Sequence, residues 1–143
     1  MKSFETSGSR VATLLAAVIM LLGSLQLQAQ TPKEWKQLKG DVTLYMANDL
    51  GRNGYYDQKP IAELMGEMAK TTGMECVLAV GDIHHFNGVA SVNDPLWMTN
   101  FEQAYSHPEL MLDWFPVLGN HEYRGNTQAV LDYSKVSRRW MMP

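Results

Sequence analysis

Residues 77–85 read Val77-Leu78-Ala79-Val80-Gly81-Asp82-Ile83-His84-His85. A short apolar run stops at a glycine and then presents an aspartate and two histidines within four positions. The pattern predicts a buried strand delivering metal-type ligands at its carboxyl end, where α/β sheets place their chemistry. Two other stretches have the same form. Val42-Thr43-Leu44-Tyr45-Met46-Ala47 runs into Asn48-Asp49-Leu50-Gly51, and Trp114-Phe115-Pro116-Val117-Leu118 runs into Gly119-Asn120-His121-Glu122.

The segments between these runs read as helices. Pro60 opens one whose Ile61, Leu64, Met65, Met68 and Ala69 fall on a single apolar face, and Thr72-Gly73 ends it. Asn93-Asp94-Pro95 signals a second, with Asp94 as N-cap, Pro95 at the first helical position, and Trp97, Phe101, Ala104 and Tyr105 as its buried stripe. Asn126 or Thr127 caps a last helix running to about Arg138. Pro116 cannot donate a ladder bond, so the third strand pairs late or lies on an edge. The order is βαβαβα, an α/β fold. Short crossovers of this kind make the strands parallel and bring all three ligand-bearing ends to one edge of one sheet.

Composition narrows the partners. Residues 11–23 (VATLLAAVIMLLG) follow Lys2 and Arg10 and have the form of a signal-peptide core, so residues 1–29 read as a signal peptide and the chain as exported, secreted or periplasmic. An uncleaved membrane anchor is the rival, weakened by Ser24, Gln26 and Gln28. Residues 30–41 are a charged lead-in and 42–143 the domain. Removing Lys2, Arg10 and Glu5 with the signal shifts the formal net charge from −3 to −4, which argues against a nucleic-acid backbone as partner. Cys76, the single cysteine, reads as a buried thiol.

Taken singly, Asp49 and Asn120 are ordinary turn residues and any one histidine is an ordinary surface group. His107 lacks such company and reads as a solvated loop residue; His84 reads as a neighbour of the site. Three strand ends bearing such groups together point to a metal site. Oxygen and imidazole donors without thiolates suit Mn, Zn or Fe rather than a structural zinc cage. Asp82, between two other ligand-bearing loops, is placed to bridge two ions about 3.5 to 4 Å apart, an arrangement that activates water and clamps a phosphoryl group.

These residues resemble the calcineurin-like metallophosphoesterases, most closely the small purple acid phosphatases of the tartrate-resistant type. The resemblance is carried by Asn48-Asp49-Leu50-Gly51, by Gly81-Asp82 with Gly88-Val89, by Gly119-Asn120-His121-Glu122, and by Gly125-Asn126 through Tyr133-Ser134-Lys135 to Arg139-Trp140 and Pro143. It implies hydrolysis of small phosphate monoesters by hydroxide at a centre of two metal ions. Asp49 would bind one ion, Asp82 bridge both, Asn120 bind the second, and His121 contact the phosphate or protonate the leaving oxygen. A non-catalytic binding module on the same scaffold, and a phosphodiesterase or nucleotide hydrolase, are the alternatives.

The sequence departs from the family in three places. The family's metal-binding tyrosine falls at His85, an imidazole that gives no phenolate-to-iron colour and favours a divalent ion. Glu122 stands where the small purple phosphatases usually carry aspartate. The family's later histidine motifs have no counterpart, so the expectation is the N-terminal half of a metallophosphoesterase sandwich, truncated and inactive alone, with an apolar sheet face and an edge uncovered.

Overall fold

The computed structural model describes residues 32–143; the expected signal segment lies outside the described residues. Three strands, β1 (Leu44–Ala47), β2 (Cys76–Val80) and β3 (Asp113–Val117), form one parallel sheet in the order β1-β2-β3. The register aligns Tyr45 with Val77 and Val77 with Trp114. Side chains alternate across a pleated sheet, so Val77, Ala79, Trp114 and Pro116 point into the core while Leu44, Met46, Val80, Phe115 and Val117 remain exposed. The open apolar face matches expectation. Cys76 lies on that face and is a half-buried free thiol rather than the buried one expected.

Helix α1 (Gln58–Thr72) packs on the inner face of the sheet, where Tyr45 donates its hydroxyl to Met68 Sδ at 3.1 Å. Gly73, with φ 70°, ends it as anticipated: a residue without Cβ accepts the left-handed conformation that closes a helix. The buried stripe differs from the expected one. Ala62, Met65, Gly66, Ala69 and Thr72 are buried, whereas Ile61 and Leu64 are exposed. The reason is close approach: the His107 ring sits against Gly66 where a Cβ would collide with it, and the small Ala62 and Ala69 share that face. His107 is therefore packed, not solvated; its Nδ1 accepts from Glu109 N–H and its Nε2 lies 3.4 Å from Glu67.

The second crossover keeps its expected stripe but not its expected winding. Trp97, Phe101, Ala104 and Tyr105 are buried, yet Met98–Glu102 is wound as a π-helix rather than an α-helix. Asp94 caps this segment, accepting from Leu96 N–H at 2.9 Å. Helix α2 (Thr127–Asp132) is capped by Asn126, which accepts from Ala129 N–H, and gives way to a 3-10 turn at Tyr133–Lys135 instead of reaching Arg138.

The chain then returns to the sheet. Trp114 N–H donates to Arg139 O at 2.7 Å and Met141 N–H to Trp114 O at 2.8 Å, so the outer edge of β3 is partly covered. Pro116 points its nitrogen to the same outer side as Trp114, where the missing donor costs no bond to β2. Trp97 stacks on Tyr133 with ring centroids 3.5 Å apart, and Trp140, Phe101 and Trp114 meet edge to face around them. Each such fully buried ring contributes roughly 1.5–3 kcal/mol, so this cluster anchors the β3 side of the core. Among the described residues no helix is long and apolar enough to cross a membrane.

Candidate metal centre

Each strand ends in a tight reversal that turns its polar residues outward. Asp49 and Asp82 both take a left-handed backbone, φ 55° and 56°, a conformation that aspartate tolerates better than most residues and that clusters at functional sites. Glycines set the loops against one another. A Cβ on Gly51 would strike the Ile83 carbonyl, and one on Gly119 would strike Asp82. The three loops therefore touch through backbone, and Asp49 N–H donates to Gly81 O at 3.2 Å.

The juxtaposition expected from the sequence is present for four of the five residues. Asp82, His85 and His121 present ligand atoms that all lie within 4.8 Å of one another. Asp49 Oδ1 lies 3.4 Å from His85 Nε2, and the His85 and His121 rings are 4.0 Å apart. Asn120 is exposed at the tip of the third loop.

Both imidazoles have their orientation and tautomer set from behind. His85 Nδ1 lies 3.0 Å from Gly51 O and His121 Nδ1 lies 2.6 Å from Phe86 O. A carbonyl only accepts, so each Nδ1 carries a proton and it is Nε2 that is left for a ligand in the neutral ring, the arrangement metal-bound histidines adopt. Arg124 Nη1 also approaches His121 Nδ1, at 3.2 Å, but bonds Phe86 O instead, since Nδ1 is already a donor. Burial, followed by the charge of Arg52, pushes the His85 pKa below its ordinary value, keeping the ring neutral and its Nε2 free. A neutral Nε2 lone pair and a carboxylate oxygen 3.4 Å apart are two electron-pair donors that a shared cation would satisfy together. The donor set thus fits an intermediate divalent metal.

Sequence reasoning missed the residues that hold this arrangement. Gln58, buried, donates to Leu50 O at 2.6 Å and Asn100 O at 2.9 Å, and accepts from Arg52 and Gly54 N–H. Tyr105 donates to Leu50 O at 2.7 Å; burial pushes its pKa up to about 12, so the hydroxyl keeps the proton it donates. Glu122 is fully buried and accepts four backbone N–H bonds. Burial alone would raise its pKa, but the His84 ring and those amides outweigh it and hold the carboxyl at about 2. The imidazole itself stands 3.6 Å away, beyond hydrogen-bond length, so the amides are the stronger cause. His84 is buried edge-on against Trp97, 4.2 Å between centroids, and turns its ring into the core rather than toward the site.

The rim is cationic and aromatic. Arg52 lies 3.7 Å from Asp49 and 5.9 Å above the Phe86 ring. A cleft of about 540 Å³ beside His85 is lined by Arg52, Asn53, Tyr55, Tyr56 and Phe86. Positive charge next to a metal-type cluster suits an anionic substrate, and exposed rings suit a planar organic group.

No protein-family model matches the chain. Purple acid phosphatase 4 of Arabidopsis thaliana is 32% identical over 137 residues, which is 93% of this chain and 40% of that protein. Purple acid phosphatase 7 of the same plant is 35% identical over 105 residues, 73% of this chain and 32% of that protein. The human tartrate-resistant acid phosphatase type 5 is 37% identical over 81 residues, 54% of this chain and 25% of that protein. Among solved structures, GAP50, described as the anchor in the inner membrane complex of Plasmodium, is similar with a TM-score of 0.63 at 25% identity, over 71% of this chain and 34% of that one. The chain spans about a third of the length of the curated relatives it matches. Relatedness to phosphatases and a cluster of metal-type ligands at the strand ends agree: the chain is a homologue of the purple acid phosphatases, which are calcineurin-like metallophosphoesterases.

Proposed function

We propose that this chain is the part of a metal-dependent phosphomonoesterase, of acid phosphatase type, that carries Asp49, Asp82, His85, Asn120 and His121, within an exported protein whose residues 1–29 are the signal peptide and whose residues 42–143 belong to the catalytic domain. The observation that carries the reading is the pair of buried or half-buried imidazoles, each tied to a carbonyl through Nδ1, whose ligand atoms lie within 4.8 Å of one another and of Asp82, with His85 Nε2 3.4 Å from Asp49. Asp49, Asp82, His85 and Asn120 would hold two ions of Fe, Zn or Mn, which supply Lewis acidity toward phosphate oxygens and an activated water.

The chain's own residues do the rest. Asp82 is fixed at Oδ1 by the His121 N–H, 3.0 Å away, so its other oxygen stays free for a ligand. His121 contacts the phosphate through Nε2 or, once that nitrogen has itself taken up a proton, passes it to the leaving oxygen, its Nδ1 being engaged. Arg52 and Arg124 place positive charge where the phosphate sits, and the aromatic cleft receives the organic group. Open apolar positions Met46, Phe115 and Val117 fit a domain in which further chain covers the second face of the sheet and adds ligands.

A second reading keeps the scaffold without the reaction. The likeness to GAP50, described as an anchor, favours it. Metal titration and hydrolysis of an aryl phosphate by the complete protein, with Asp82→Asn as control, separate the two. Binding of two ions with turnover lost in the control supports the phosphatase; no binding and no turnover in either supports the anchor-like module.

A further inference from the structure

We propose that Glu122 is a positioning residue of this site: its buried carboxylate fixes the separation between the loop that carries Asp82 and the loop that carries His121. The inference rests on the metal-site reading above. Oε1 accepts from Ile83 N–H and His84 N–H, both at 2.9 Å, while Oε2 accepts from Asp82 N–H at 2.9 Å and Gly119 N–H at 2.8 Å. Three successive amides leaving β2 and one leaving β3 thus converge on one carboxylate, an anion nest occupied from within the chain.

The geometry requires this side chain in three respects. Fully buried, it has no water to replace it. Glutamine would put an NH2 group against two N–H donors, leaving that pair unsatisfied. Aspartate, one methylene shorter, could not reach both loops at once. The same loops are crosslinked on the far side by His121 N–H to Asp82 Oδ1 at 3.0 Å, and Gly119 has no Cβ where Asp82 occupies the space. Asp82 is therefore held at its amide by Glu122 and at its carboxylate by the next residue back, so the position of the carboxylate and that of the His121 ring are set by one device.

The test uses the 143-residue chain with zinc alone as probe, in Glu122→Gln, Glu122→Asp and the core control Val130→Ala, a buried side chain of α2 outside the three ligand loops, whose truncation lowers stability. Zinc affinity by calorimetry and backbone hydrogen exchange are measured together. The inference expects Glu122→Gln to weaken zinc by about tenfold or more, as removal of a group supporting a ligand does, with faster exchange at Asp82, Ile83, His84 and Gly119 but not at Leu78. Val130→Ala, chosen for a comparable loss of thermal stability, keeps its zinc affinity. Unchanged affinity and unchanged exchange in Glu122→Gln overturn it, as does an equal loss of affinity in Val130→Ala. Should Glu122→Gln not fold, Glu122→Asp carries the same comparison. If the unmutated chain takes up no zinc, these loops do not hold a metal on their own, and exchange at the four amides alone decides whether Glu122 holds the loops.

Discussion

Replacing Gly51 by alanine adds a single methyl where the first and second ligand loops meet. The new Cβ would fall against the carbonyl carbon and oxygen of Ile83 and about 3.0 Å from Asn100 Cγ, and backbone atoms cannot swing away as a side-chain end can. The loops must part by more than an ångström. Overpacking of this kind costs about 1–3 kcal/mol, and the parting stretches the His85 Nδ1–H bond to Gly51 O, worth roughly 1 kcal/mol. A total of about 2–4 kcal/mol at a urea slope of roughly 2 kcal/mol/M lowers the unfolding midpoint by about 1–2 M. Because His85 is oriented through that carbonyl, zinc affinity falls as well. Gly40→Ala, at an exposed position, serves as control and moves the midpoint little. A Gly51→Ala chain with the parent's midpoint and zinc affinity would refute the contact between loops on which the site depends.

Three further outcomes follow from the same geometry. The Glu122 carboxyl, held at about 2 against an ordinary value near 4.5, binds fewer protons folded than unfolded, so its stabilisation is complete above about pH 5 and is lost as pH falls toward 2; roughly 3 kcal/mol of acid sensitivity should be present in urea titrations of the parent and absent in Glu122→Gln. Reconstituted with iron, the complete protein should lack an intense visible charge-transfer band, and His85→Tyr should acquire one; a strong band in the parent would count against His85 as the ligand. Phe86→Ala in the complete protein should lower kcat/KM for an aryl phosphate several-fold more than for glycerol phosphate, since the cleft beside His85 loses one aromatic wall; equal losses for both esters would remove the cleft from substrate recognition.

The strand ends were legible because their signal is local: an apolar run, a glycine, then oxygen and nitrogen donors, repeated three times. Parallel pairing followed from the crossovers, and the structure brings Asp49, Asp82, His85 and His121 together as that topology requires. Caps were legible for the same reason, Asp94 and Asn126 bonding the amides expected of them. What escaped depends on contacts between segments. The buried face of α1 is decided by the His107 ring lying on Gly66, a partner forty-one positions away, and no periodicity within the helix announces it. The π-turn at Met98–Glu102 shares its residue spacing with an ordinary helix. Glu122 looked like a variant of a motif aspartate because all four of its donors are backbone amides, which leave no trace in side-chain patterns. Gln58 and Tyr105, which secure the Asp49 loop through Leu50 O, are hidden for the same reason.

The central claim is that the strand ends turn unprotonated Nε2 atoms and carboxylates toward one cation. Long-range nitrogen–proton spectra of the histidine rings during zinc titration test it directly, because each ring nitrogen reports its own state. The account predicts that the His85 Nε2 resonance moves first and that His121 responds beside it, with both Nδ1 protons retained and His107 unchanged, its Nε2 facing Glu67 on α1. A titration in which His107 alone responds, or in which His85 stays unmoved, would contradict it.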